Sequence, residues 1–191
     1  TDPTSDHFLK ALIAKVIQLQ KMREPGFADK SSEETLMHFL QVTLCSLQKL
    51  LEVSPDLLVV FINDPSVHNV FALLTDTTIP WDILQLLLQI LKLALTTPTA
   101  CMILASFVPN LRILLQFDST DCESLVLDIL DQFITNNDDV VQLIMRSSLI
   151  LVLLDMSLFY EKEYDGFIQD KAIQLLGKMM KSFKYGESVQ K

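Results

Sequence analysis

Asp128 and Asp131 stand three residues apart in a leucine-rich stretch, a spacing that puts two carboxylates on one helix face. Paired carboxylates do general acid–base work when burial or crowding drives their pKa values apart, and a solvated helix face does neither. The histidines His7, His38 and His68 lie about 30 residues apart, and none sits at zinc-ligand spacing from a cysteine, His38 and Cys45 being seven apart. Residues 118–121 lack the glycine and the alternating oxygen ligands of a calcium loop and read as a turn with a helix cap. A Cys–His nucleophile pair stays open on residue types alone, but no activated-nucleophile motif or phosphate-cradling glycine loop accompanies it. The expectation is a protein with no catalytic residues, no metal and no cofactor.

Helices are what would position these side chains. Half of the 191 residues are apolar, 20% are charged, and only four are glycine, which disfavours a turn-rich β architecture. Apolar residues recur at three- and four-residue steps, the period of an all-α chain. The net charge of −9 argues against nucleic acid, which needs a basic face. No run of 18 apolar residues exists. Gln85, Gln89 and Lys92 interrupt 83–95 and Arg146 interrupts 140–154, so no membrane partner is expected. Cys45, Cys101 and Cys122, an odd count inside helical patterns, read as small buried hydrophobes in a reducing compartment, hence the cytoplasm or nucleus. The chain starts Thr1-Asp2-Pro3 with no initiator Met and no signal peptide, and is expected to be a processed or excised piece of a longer one.

Start and stop signals then cut the chain. A first helix is predicted from about Asp6 to Arg23, ended by Glu24-Pro25-Gly26. Ser31 with Glu34 and Thr120 with Glu123 read as capping boxes. Ser54-Pro55 opens a helix with proline at its first position; Asp64-Pro65, Thr97-Pro98, Ile79-Pro80 and Val108-Pro109 repeat the device. About ten helices result, joined by short connections.

Those helices recur. The stretches 69–74, 110–115 and 149–154 share one leucine-rich pattern, with starts 41 and then 39 residues apart. Each leads through a polar turn into a long amphipathic helix: 81–95, 122–135 and 167–182. Leu87, Ile90 and Leu93 align with Leu127, Leu130 and Phe133 at an offset of 40, and Leu44, Leu47 and Leu50 precede the first set by 43. A period near 40 is the signature of a stacked α-solenoid.

On these residues the chain resembles an armadillo repeat protein over roughly 36–182. Pro98–Ser106, Pro109–Phe117 and Cys122–Thr135 play the family's three helices, with Pro109, Leu111, Leu114 and Leu115 in its second-helix pattern. The family's glycine before that helix is missing: Phe107-Val108 and Ser66–His68 stand there, which marks a divergent armadillo or HEAT-like unit. The resemblance implies one domain over 1–191. In it a capping helix and loop occupy 1–30, a right-handed solenoid of three to four repeats 31–182, and a tail 183–191, where Gly186 signals a stop. It also implies a concave groove lined by the third helices, where family members use asparagine to grip an extended peptide. The aligned positions here are Lys49, Lys92, Gln132 and Lys178, none of them asparagine. Two readings stay open for this row: a cleft attracting an acidic or extended protein segment, or long side chains on a solvated face.

The segment 158–167 is longer than the matching turns and carries Phe159, Tyr160, Tyr164 and Phe167. The tyrosines with Phe159 are candidate interface anchors; packing of the phenylalanines inward is the competing reading. Trp81, right after a proline, is expected to staple its helix to the core. The function expected is a non-catalytic protein–protein scaffold, as a monomer, a homodimer or part of a larger complex. The alternative is a spacer or dimerisation segment of a larger solenoid with no ligand of its own.

Overall fold

The computed structural model describes residues 3–23, 30–76, 78–97, 99–116, 119–159 and 166–189, with side chains for all of these except 30, 31, 159 and 183–189. Among them the chain is all-α: eleven α-helices, two 3-10 segments and no strand, close to the ten helices expected. Among the described residues no single helix is long and apolar enough to cross a membrane. The chain divides into two compact units, Thr1–Thr97 and Pro98–Lys191.

The first unit holds α1 (Pro3–Lys21), α2 (Lys30–Val53), α3 (Pro55–Asn63), α4 (Val67–Ala72), a 3-10 turn (Leu73–Thr75) and α5 (Trp81–Ala94). α1 buries Leu9, Ile13, Val16 and Leu19. Those steps of three and four make one apolar stripe, and α1 lies against α2, α3 and α4. Ser54 caps α3 in extended conformation with Pro55 in its first turn, as the sequence signals. The prolines at 65, 80 and 109 behave otherwise. Asp64 accepts a hydrogen bond from the Ser66 amide, so Pro65 lies in a bend between α3 and α4. Pro80 is itself the residue before α5, and Pro109 lies inside a 3-10 segment. Pro98 falls outside the described residues. The bend turns α4 and its 3-10 extension by 86° from α3. α2 and α5 then pack side by side.

The second unit holds α6 (Ala100–Leu104), a 3-10 segment (Ala105–Asn110), α7 (Leu111–Leu114), α8 (Thr120–Asn136), α9 (Asp138–Arg146), α10 (Leu149–Phe159) and α11 (Gly166–Val189). α9 and α10 are again bent by 86°, and α8 packs on α11. Each unit therefore contains a long helix, a sharply bent pair and a second long helix. The Thr120–Glu123 capping box is displaced by one residue: Ser119 is the extended cap, and its hydroxyl accepts from the Cys122 amide at 3.4 Å. Ser31's side chain lies outside the described residues. α11 runs through Gly186 to Val189, so that glycine does not stop it; one helical glycine costs only about 1 kcal/mol.

Burial fixes the register between the long helices. Ile83, Leu84, Leu87, Leu88, Ile90, Leu91, Ala94 and Leu95 are buried in and just after α5. The residues 39 later, from Cys122 and Glu123 to Phe133 and Ile134, are all buried in α8. The offset of 40 is therefore one residue too long. In a leucine-rich helix some apolar residue stands at almost every third or fourth position, so a one-residue slip still pairs leucine with leucine. It nevertheless turns the helix by about 100°. Leu93 shows the slip, being half-buried where Phe133 is fully buried.

A candidate partner-binding groove

On α2, Glu34, His38, Gln41 and Cys45 follow one another at helical steps, and on α5 Asp82, Gln85 or Leu86, and Gln89 do the same. Packing of the two helices brings these faces together. The Gln41 amide donates to the Asp82 carboxylate at 2.7 Å, and both residues line each of two cavities. One cavity, of about 560 Å³, is lined by Glu33, Glu34, Met37, His38, Gln41, Thr78, Pro80, Asp82 and Ile83. The other, of about 410 Å³, is lined by Gln41, Val42, Cys45, Asp82, Gln85, Leu86 and Gln89. Among the described residues neither is lined by a lysine or an arginine.

The mouth is braced from the turn that follows α1. Arg23 donates to the Asp76 carboxylate at 2.9 Å and to the Thr78 hydroxyl at 2.8 Å. Asp76 accepts from the Thr78 amide at 2.9 Å and its hydroxyl at 2.6 Å, which sets the turn leading to Pro80. Partial burial pushes the Asp76 carboxyl up, but the Thr78 bonds and the Arg23 guanidinium outweigh it and hold the group below its ordinary value.

The matching face of the second unit is closed. In the 39-residue register Gln85, Gln89 and Lys92 correspond to Ser124, Asp128 and Asp131. Lys171 on α11 reaches the Asp128 carboxylate at 2.5 Å and the Ser124 hydroxyl at 2.9 Å, over the ring of Phe167 at 4.7 Å. Lys178 pairs with Asp131 at 2.5 Å, and the Ser182 hydroxyl donates to Asp138. Asp128 and Asp131 are thus bridged by cations across a helix pair.

The four residues of the expected row stand in different surroundings. Lys49 is exposed on α2 and Lys92 half-buried on α5. Lys178 is engaged by Asp131, and it is Asp131, not Gln132, that stands in register with Lys92. Gln132 is half-buried, and its side-chain carbonyl oxygen has no hydrogen-bond partner. Phe159's side chain, Tyr160 and Tyr164 lie outside the described residues. Phe167 is 60% exposed rather than packed inward. Trp81 is only half-buried. Gln41, Asp82, Gln85, Leu86 and Gln89 are the residues missed. Their signal was present: Gln85 and Gln89 interrupt an otherwise apolar helix at adjacent turns of one face.

Cys101 and Cys122 are buried free thiols, while Cys45 is half-buried and lines the groove, unlike the fully buried position expected. Burial, with Glu123 adding to it, pushes the Cys122 thiol up to about 12. Burial raises Cys101 as well, against a partial opposing bond from Asn136. Among the described residues no group of three or more His, Cys, Asp or Glu side chains could hold a metal. Comparison with family models, curated proteins and solved structures finds no match for this chain.

Proposed function

We propose that the chain is a non-catalytic scaffold, built as a divergent armadillo-like right-handed solenoid, that holds an extended basic segment of a partner protein between α2 and α5. The observation carrying this reading is the contrast between two equivalent faces: one bridged by Lys171 and Lys178, the other open and lined by amides and carboxylates. The repeated order of long helix, bent pair and long helix supports the solenoid, as does the 39-residue burial register. Gln85 and Gln89 each present both donors and acceptors, which is what the alternating N–H and C=O groups of an extended backbone require. Val42 and Leu86 offer apolar contact for alternate side chains. Glu33, Glu34 and Asp82 set the sign: a cleft of carboxylates draws lysine and arginine, not the acidic segment that a lysine row would draw.

The test is fluorescence polarisation with labelled extended peptides in which half the residues are Lys or Arg. The double variant Glu34→Gln/Asp82→Asn keeps shape while removing two charges, and is expected to weaken binding by about tenfold. Gln132→Ala, which leaves the net charge unchanged, is expected to leave the affinity unchanged. Equal binding by wild type and the double variant, or a loss confined to Gln132→Ala, rejects the groove.

A further inference from the structure

We infer that α10 and α11 of the second unit form a second docking face, distinct from the groove, which takes one amphipathic helix of a partner with basic residues beside its leucine stripe. α10 buries Leu149, Leu153 and Met156, yet it also carries Leu151 (66% exposed), Leu154 (41%) and Leu158 (65%). Those three, at i, i+3 and i+7, form a continuous apolar stripe on its outer side. α11 adds Ile173 and Met180, half to two-thirds exposed. The two stripes adjoin, because the Gln169 amide, one turn before Ile173, donates to the Ser157 carbonyl beside Leu158 at 2.9 Å. Gly177 lies between Ile173 and Met180, and nothing stands within 4 Å of where its Cβ would be. That leaves a shallow notch in which a helix backbone can approach closely.

Size and charge choose the occupant. A stable subunit interface takes about 20–30 residues a side, and five apolar side chains on two helices fit a single helix laid in a groove. Asp155 and Asp170 flank the exposed leucines and Ile173 and are exposed themselves. They attract a basic flank, and Asp155 beside Leu154 would repel its own copy across an antiparallel α10 pair.

Fluorescence anisotropy tests this with a labelled helical peptide of about 15 residues, leucines at i, i+3 and i+7 and lysines elsewhere. It is titrated with the full chain and with its Leu151→Ala/Leu158→Ala and Gly177→Trp variants, all of one net charge, with circular dichroism confirming that each stays helical. Saturable wild-type binding that weakens at least about tenfold in both variants is expected. Equal binding by all three shows that the peptide is held elsewhere, in the acidic groove or by net charge, and absence of saturable binding shows that the face takes no such helix; both overturn the inference. Self-association of the wild type that Leu151→Ala/Leu158→Ala abolishes assigns the face to a second copy. Co-sedimentation with phosphatidylcholine vesicles that depends on the same leucines assigns it to lipid. Either result overturns it too.

Discussion

Arg23 carries its charge on a side chain only 10% exposed, and directs it at the carboxylate and hydroxyl of a turn at the groove's mouth. Because the Asp76 carboxyl is held below its ordinary value, its contribution to stability is complete above about pH 4, the unfolded value. It drains away as pH falls through the lowered folded value. Asp76→Asn is therefore expected to cost about 1 kcal/mol at neutral pH, a modest figure because the carboxylate is more than a third exposed. Urea unfolding at pH 7 and pH 3 checks this, and a gap between wild type and variant that widens on acidification contradicts it. The cysteines give a second outcome at this scale. The thiolate is the reactive form, so at pH 8 an alkylating reagent is expected to label Cys45 first, while Cys101 and Cys122 wait for unfolding. Mass spectrometry of a time course reads the order. The buried pair was legible in the sequence, since both cysteines occupy apolar positions of a helical pattern. Cys45's place in the groove was not, because it depends on which face α5 presents to α2.

Helices and their ends show where pattern suffices and where it fails. Ser54-Pro55 reads correctly because extended serine before proline is a strictly local preference. The second cap fails by one residue, since Ser119 and Thr120 are both good caps and only the backbone conformation decides between them. Ser119→Ala is expected to lower stability by about 1 kcal/mol and Thr120→Ala by a few tenths; thermal melts of the two variants separate the assignments. The helical class was legible from composition and period, whereas the register between the long helices was not, because leucine spacing tolerates a one-residue slip that buried and exposed faces do not. That slip turned Asp131's position into Gln132's and so put a neutral amide in the row where the burial register puts a carboxylate. Lys171 and Lys178 instead tie α11 to α8. Replacing both by Met is expected to cost no more than about 1 kcal/mol, since these pairs are partly solvated. It would also uncover Asp128 and Asp131, so the double variant should bind basic peptides more tightly than the wild type. Unchanged or weaker binding in polarisation titrations would mean that the lysines do not close that face.

At the scale of the whole chain, the all-α class follows from glycine scarcity and helical period. Two compact units, each with a long helix, an 86° bent pair and a long helix, carry that class into three dimensions. The proposed groove is a property of paired helices rather than of any single one, which is why Gln85 and Gln89 were visible as interruptions and unreadable as a site. The most direct measurement is two-dimensional amide NMR of the isotopically labelled chain, titrated with a Lys/Arg-rich extended peptide. Shifts that saturate together at Gln41, Val42, Cys45, Asp82, Gln85, Leu86 and Gln89, with the α8 amides of Ser124, Asp128 and Asp131 unmoved, are the predicted result. Shifts centred on α8 and α11, or spread evenly over acidic residues without saturating, would contradict it.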